Sequence, residues 1–254
     1  MQTFTRNNLS LSYDRLGTDE PLVLLHGYPL DHTIWDETVT LLSHNFDVIL
    51  PDMRGFGASA APDSPWTMSD LADDLAGLLD HLGLASAFVA GHSMGGYVAL
   101  AFAAAYPSRV RGLGLVASQA AADTPERREG RYATARQVSE QGVGGVVEAM
   151  TPKLSPDARV QTFVRGLMSK QRPAGVIGAL HAMAGRADTL EMVAAASFEV
   201  RIVHGEADAL IPFERASEVR SACPRARLFA LPGIGHMPMM ENPEATVNAL
   251  RSFI

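Results

Sequence analysis

Three side chains of different type, far apart in the chain, define the chemistry this sequence offers. Ser93 sits in Gly91-His92-Ser93-Met94-Gly95, Asp208 in Gly205-Glu206-Ala207-Asp208, and His236 in Gly233-Ile234-Gly235-His236-Met237-Pro238. A serine hydroxyl is a weak nucleophile until a base takes its proton, and an imidazole serves as that base when an acid holds its tautomer. With Asp208 orienting His236 and His236 deprotonating Ser93, the product is an acyl-enzyme that water then opens. Glu206 is a rival for the acid, being nearer its strand, and Asp123 and Asp188 are weaker rivals in or near an insertion.

The elements around each residue are those that would deliver it. Ala87-Phe88-Val89 is a short apolar strand, and Tyr97 to Tyr106 is an alanine-rich helical run, so Ser93 falls on a strand-to-helix turn. On a turn that sharp, the positions two residues either side have no room for a β-carbon, and Gly91 and Gly95 occupy them. The helix beginning there aims backbone N–H groups at whatever the serine attacks. A tetrahedral oxyanion needs two such donors. The N–H of Met94, next after the nucleophile, is one; the N–H of Tyr28, in the early loop His26-Gly27-Tyr28-Pro29, is the other.

Residues 2–6 and 9–14 predict two strands joined at Asn7-Asn8, a pair that tolerates the positive φ of a hairpin. Leu22–Leu25, Phe46–Leu50, Val110–Val116 and Val200–Val203 are apolar throughout, and Ala226–Leu231 closes the series. Helical spacing runs over Ile34–Leu42, Thr67–Leu82, Glu214–Ser221 and Pro243–Phe253; in the second, Leu71, Leu75, Leu78, Leu79 and Leu82 oppose Asp70, Asp73 and Asp74. Continuous apolar strands alternating with helices predict a parallel sheet covered on both faces. From 118 to 197 the alternation stops: the composition is helical, Pro152 and Pro156 read as breaks, and no strand is evident. That predicts a core of residues 1–117 and 198–254 with a helical cap, 118–197, inserted after the sixth strand and lying over the strands' carboxyl ends.

Composition excludes other classes. At 254 residues, 47% hydrophobic and 19% charged, the chain buries one core and is too apolar to be disordered. A net charge of −7 without a basic run argues against nucleic acid as a partner. One cysteine, Cys223, excludes a disulfide framework; the start Met1-Gln2-Thr3-Phe4 lacks the regions of a signal peptide, and no apolar span reaches bilayer length. The expected location is cytoplasmic, with no membrane partner and the oligomeric state open. No histidine or cysteine spacing suggests a metal. The insertion carries ten Lys/Arg against eight Asp/Glu and the remainder eleven against twenty, so a slightly basic cap sits over an acidic body, an arrangement that ordinary solvated helices also produce.

His-Gly-Tyr-Pro, Asp-Met-Arg-Gly-Phe-Gly-Ala-Ser, Gly-His-Ser-Met-Gly-Gly, Gly-Glu-Ala-Asp and Gly-His-Met-Pro together resemble the α/β-hydrolase superfamily over nearly all of the chain outside the insertion. Within it the chain is most similar to the group of 3-oxoadipate enol-lactonases, cofactor-free haloperoxidases and carboxylesterases. The resemblance implies an eight-stranded, mostly parallel sheet flanked by helices, and no cofactor. Relatives that open alkyl halides or epoxides carry Asp at the nucleophile position, so Ser93 points to acyl transfer on a small ester or lactone. An enol-lactonase would need a cap cation, such as Arg186 or Arg165, for the substrate's distal carboxylate. Perhydrolysis is a further outcome of the same triad, and some superfamily members keep the triad as slow-turnover receptors or signalling partners. Candidate pocket residues are Trp35, Met237, His181 and Arg186, the first two with a competing place in the core and the last two with one on the surface. Met94, Met239 and Met240 are further candidates for an adaptable wall. His26, His92 and His204 flank turns and read as structural.

Overall fold

Asn7 and Asn8 both adopt the left-handed conformation, with φ of 48° and 63°, and turn β1 (Gln2–Arg6) back on β2 (Leu9–Leu16). The computed structural model describes residues 1–62 and 64–254. The chain continues through β3 (Glu20–Leu25), a short 3₁₀ turn (His32–Trp35), α1 (Asp36–Leu42), β4 (Phe46–Pro51), α2 (Met68–His81), β5 (Ala87–His92), α3 (Met94–Ala105) and β6 (Val110–Val116). Five helices follow: α4 (Pro125–Gln141), α5 (Gly144–Leu154), α6 (Ala158–Met168), α7 (Pro173–Ala184) and α8 (Leu190–Ala194). The alternation then resumes with β7 (Glu199–Gly205), α9 (Glu214–Ala222), β8 (Arg227–Leu231), α10 (Pro238–Glu241) and α11 (Pro243–Arg251).

The eight strands form one sheet in the order β1-β2-β4-β3-β5-β6-β7-β8. The strand β2 runs antiparallel to both neighbours and every pairing from β4 to β8 is parallel. Alternate residues of each central strand feed opposite layers. Val23, Leu25 and Val89 join Leu71, Leu75, Leu78 and Phe102 on one face, while Leu22, Leu24 and Phe88 join Leu42, Val247 and Leu250 on the other. Both faces being covered explains why these strands read as unbroken apolar runs.

Local chemistry sets the ends of α2. Thr67 Oγ1 accepts from the Asp70 N–H while the Asp70 carboxylate accepts from the Thr67 N–H, a reciprocal cap. Thr67 is exposed, so Thr67→Ala removes the cap without opening a cavity. It is expected to lower unfolding free energy by about 1 kcal/mol, read from urea denaturation. Leu71, Leu75, Leu78 and Leu79 are buried as their spacing predicts and Leu82, just past the helix, is half-buried, but Asp74 is not on the wet side. It is buried and accepts from Arg54 Nε and Nη2 at 2.6 and 2.7 Å. The loop after β4 folds a guanidinium onto the helix there, a tertiary contact that periodicity does not encode.

Two other expectations shift. The helix expected from Ile34 begins as the 3₁₀ turn and becomes α-helical at Asp36. Pro152 does not break a helix but lies in the last turn of α5, where only one ladder N–H is lost and Leu154 anchors the end in the core. Among the described residues no helix is long and apolar enough to cross a membrane.

Candidate active site

The turn between β5 and α3 holds Ser93 at φ 51° and ψ −112°, a conformation a non-glycine residue adopts only when its surroundings impose it. The imposing contacts are visible. The Ser93 N–H donates to Val116 O at the end of β6, and Ser118 Oγ donates to Ser93 O, at 2.9 and 2.8 Å. A β-carbon on Gly91 would lie 2.1 Å from the Gly95 carbonyl carbon, and one on Gly95 would lie 2.5 Å from Leu25 O. All the nearest atoms are backbone, so nothing flexible can yield. Gly91→Ala is therefore expected to destabilise by about 3 kcal/mol or more and to lower the melting temperature by several degrees, measured by thermal unfolding followed by circular dichroism.

Asp208 and His236 meet from loops after β7 and β8. The His236 Nδ1–H donates to Asp208 Oδ2 at 2.7 Å, while Asp208 Oδ1 accepts from the Leu210 and Ile211 N–H groups at 2.8 and 2.9 Å. The Asp208 side chain is fully buried. Burial alone would push its carboxyl up, but the His236 imidazole and the two amides hold it below the ordinary value. Because Nδ1 carries the proton toward Asp208, Nε2 is the ring nitrogen left to accept one. Glu206, the rival acid, is exposed on its loop; Asp188 is exposed and accepts from the Ala122 N–H.

The histidine loop is braced from three sides. The His236 N–H donates to Leu154 O at the end of α5, His92 Nε2–H donates to His236 O at 2.8 Å, and Glu241 accepts from the Gly235 and Met237 N–H groups. Burial keeps His92 well below the ordinary imidazole value, so it stays a neutral donor. His26 Nδ1–H donates to Gly27 O and its Nε2 accepts from the Met53 N–H, and His204 Nε2–H donates to Ile211 O. All three histidines act on the backbone that carries Tyr28, Asp208 or His236. Glu241 escaped the sequence reading; its one signal is a carboxylate four residues after Met237, at the end of a helical turn.

Ser93 and His236 line one cavity of about 420 Å³, roofed by residues of α4, α5 and α7. Ser93 Oγ makes no hydrogen bond among the described residues, and catalytic hydrogen bonds commonly tighten only when substrate is bound. Tyr28 lines the same cavity, whereas the Met94 side chain turns into the core. Neither backbone N–H donates to a protein acceptor among the described residues.

The remaining pocket candidates lie elsewhere. Trp35 is fully buried beside Leu30, Ile34 and Leu42 in the layer containing α1 and α11, because the 3₁₀ turn rotates its indole into the core. Met237 is fully buried in that layer too, with Met239 and Met240; the methionines on the cavity wall are Met150 of α5 and Met183 of α7. His181 is exposed and its ring lies 5.3 Å from that of Tyr132. Arg165 is exposed and pairs with Glu148. Arg186 is buried and committed to Asp123 at 2.8 Å, with its guanidinium 4.1 Å over the Tyr97 ring, and it lines a second cavity behind Tyr97. The cations that do line the Ser93 cavity are Arg127, Arg131 and Lys153.

Asp31, His32 and Asp52 bring possible ligand atoms within 4.8 Å of one another. Their atoms are engaged in holding the loops after β3 and β4: Asp31 Oδ1 accepts from Thr33, and Asp52 from His32 and Ala58.

In comparison with known proteins, a thermophilic esterase from Thermogutta terrifontis, solved with malate bound, superposes with a TM-score of 0.94 at 36% identity, over 99% of this chain and 95% of that one. The enol-lactonase from Burkholderia xenovorans LB400 superposes with a TM-score of 0.91 at 25% identity, over 99% of both. In sequence, the pimeloyl-[acyl-carrier protein] methyl ester esterase of Nitrosomonas europaea is 30% identical over 94% of this chain and 97% of its own. The family model described as alpha/beta hydrolase fold matches residues 20–243. A match of that length, on a sheet of this topology, makes the chain a member of the α/β-hydrolase fold family.

Proposed function

We propose that the chain is a serine hydrolase of small carboxylic esters or lactones. Ser93 attacks the acyl carbon, His236 Nε2 takes its proton and returns it to the leaving oxygen, and Asp208 holds the imidazole in that tautomer. The Met94 and Tyr28 N–H groups hold the oxyanion, each worth on the order of a hundred- to a thousandfold in rate. In the second half-reaction water, deprotonated by His236, opens the acyl-enzyme and regenerates the serine hydroxyl. The observation that carries the reading is the 2.7 Å His236–Asp208 pair, whose free ring nitrogen shares a cavity with a serine on a strained elbow. Relatives that carry esterase and enol-lactonase names support it. A cavity of about 420 Å³ suits a small substrate.

Rapid mixing with p-nitrophenyl acetate tests it. The expected trace is a burst of nitrophenol equal to the enzyme, followed by steady turnover of about 1 per second or faster. Release that stops after one equivalent would instead describe a receptor that is modified once, and no release would remove the reading.

A further inference from the structure

Tyr97 stands between two cavities. It borders the one that holds Ser93 and His236, and it also borders a second, of about 490 Å³, which neither of those residues lines. Tyr97 is buried one turn along α3 from Ser93. Beyond it the second cavity follows the same helix, with Leu100, Ala101 and Ala104 on its wall at helical spacing. Met68 at the start of α2 and Ala187 after α7 line it as well. Ala104 and Ala187 are exposed, so this groove opens at the surface and runs in to Tyr97.

The groups around the ring are held by bonds that do not involve it. The Arg186 guanidinium lies 4.1 Å over the ring, and Asp123, Met183 O and Ala121 O fix it at 2.8, 3.0 and 2.9 Å. Tyr97 Oη accepts only from Gln119 Nε2 among the described residues, at 3.4 Å, the far limit of a hydrogen bond. Gln119 is itself buried and lines the groove. Loss of the ring therefore leaves its neighbours anchored and frees a space that borders both cavities.

We propose that the Tyr97 ring is the specificity-determining partition between the two cavities: it limits the length of the substrate arm that lies along α3, and the groove behind it takes the rest of a longer arm once the ring is removed. The assignment rests on the hydrolase reading and narrows its substrates to esters with a short arm on that side. One helical turn rises about 5.4 Å, so a chain leaving the acyl carbon along α3 meets the ring after a few methylenes. Past the ring the wall is leucine and alanine, and each methylene buried there is worth about fourfold in binding.

Two measurements test it. First, kcat/KM is compared for p-nitrophenyl butanoate and octanoate, and for butyl and octyl acetate, so that either arm of the substrate can show the effect. Wild type is expected to favour the shorter ester about tenfold or more in at least one series. Tyr97→Ala is expected to cut that preference about tenfold or more, and Tyr97→Phe, which keeps the ring, to retain it. Ala104→Trp, added to Tyr97→Ala, refills the groove about three turns along α3 from Ser93 and is expected to restore the preference. A general loosening of the catalytic cavity would not be reversed from there. A wild type indifferent to length, a preference unmoved by Tyr97→Ala, one lost equally in Tyr97→Phe, or one that Ala104→Trp leaves unrestored would overturn the proposal. Second, binding of hexan-1-ol is followed by calorimetry. Tyr97→Ala is expected to bind it about tenfold more tightly than wild type, and the added Ala104→Trp to abolish the gain; equal binding by wild type and Tyr97→Ala overturns the proposal whatever the turnover. That gain without turnover of any ester would sink the hydrolase reading and keep the partition. Ester turnover with length preference and hexan-1-ol binding both unmoved would do the reverse. Should Tyr97→Ala not fold, Tyr97→Leu, which removes the ring but keeps a core side chain, carries the comparison.

Discussion

Ser93→Ala is expected to lower kcat for p-nitrophenyl acetate by a factor on the order of 10⁴ to 10⁶ and to leave the melting temperature within a degree or two. On the proposed mechanism the rate loss follows from removing the atom that would form the acyl bond; what survives would be catalysis of direct water attack by the proposed oxyanion donors. Stability is spared because Ser93 Oγ makes no hydrogen bond among the described residues, and because the elbow is held by backbone contacts that alanine retains. Initial-rate kinetics beside a thermal melt separate the two effects. A variant that stays folded and active at more than a few per cent would place the nucleophile elsewhere.

Asp208→Asn gives the second large effect, through the tautomer. The Leu210 and Ile211 N–H groups demand an acceptor, so the asparagine oxygen must face them and its amide N–H₂ must face His236. His236 Nδ1 then has to accept, which moves the ring proton to Nε2, where it blocks acceptance from Ser93. A loss in kcat on the order of 10⁴ at neutral pH is expected. Glu206→Gln, on the exposed rival, is expected to stay within about twofold of wild type. The same variant has a stability signature. The carboxyl of Asp208 is lower in the folded chain than its unfolded value near about 3.9, so its contribution is present above that pH and lost as pH falls through the folded value. Urea denaturation is thus expected to show a larger penalty for Asp208→Asn at pH 7 than near pH 3. A penalty that grew toward low pH would contradict the sign.

The three side chains of the proposed triad stand out in the sequence because each depends on local grammar. Ser93 lies between glycines that the tight turn demands, and Asp208 and His236 follow apolar runs that end in loop-forming residues. The hairpin at Asn7-Asn8 was legible for the same reason. What could not be read depends on how helices rotate against their neighbours. Trp35 has the right position to border the loop carrying Tyr28, yet it ends a 3₁₀ turn and is buried in the opposite layer. Arg186 has the right charge, yet Asp123, more than sixty positions earlier, has captured it. Arg131, only eight residues after the same aspartate, keeps one Nη on the cavity wall. Nothing in the composition of residues 118–197 separates these two arginines, and a packed structure does. Asp74 shows the same limit: an acid on the polar stripe of a helix looks solvated until the loop carrying Arg54 closes over it.

If His236 makes Ser93 nucleophilic, a fluorophosphonate reports on both residues at once. Such a reagent phosphonylates a serine that is activated by a neighbouring base, and tryptic mass spectrometry locates the adduct. Wild type is expected to take up one equivalent, on the peptide containing Ser93, in step with loss of ester turnover. His236→Ala is expected to react at least about a thousandfold more slowly. An adduct on any other residue, or undiminished labelling of Ser93 in His236→Ala, would contradict the account.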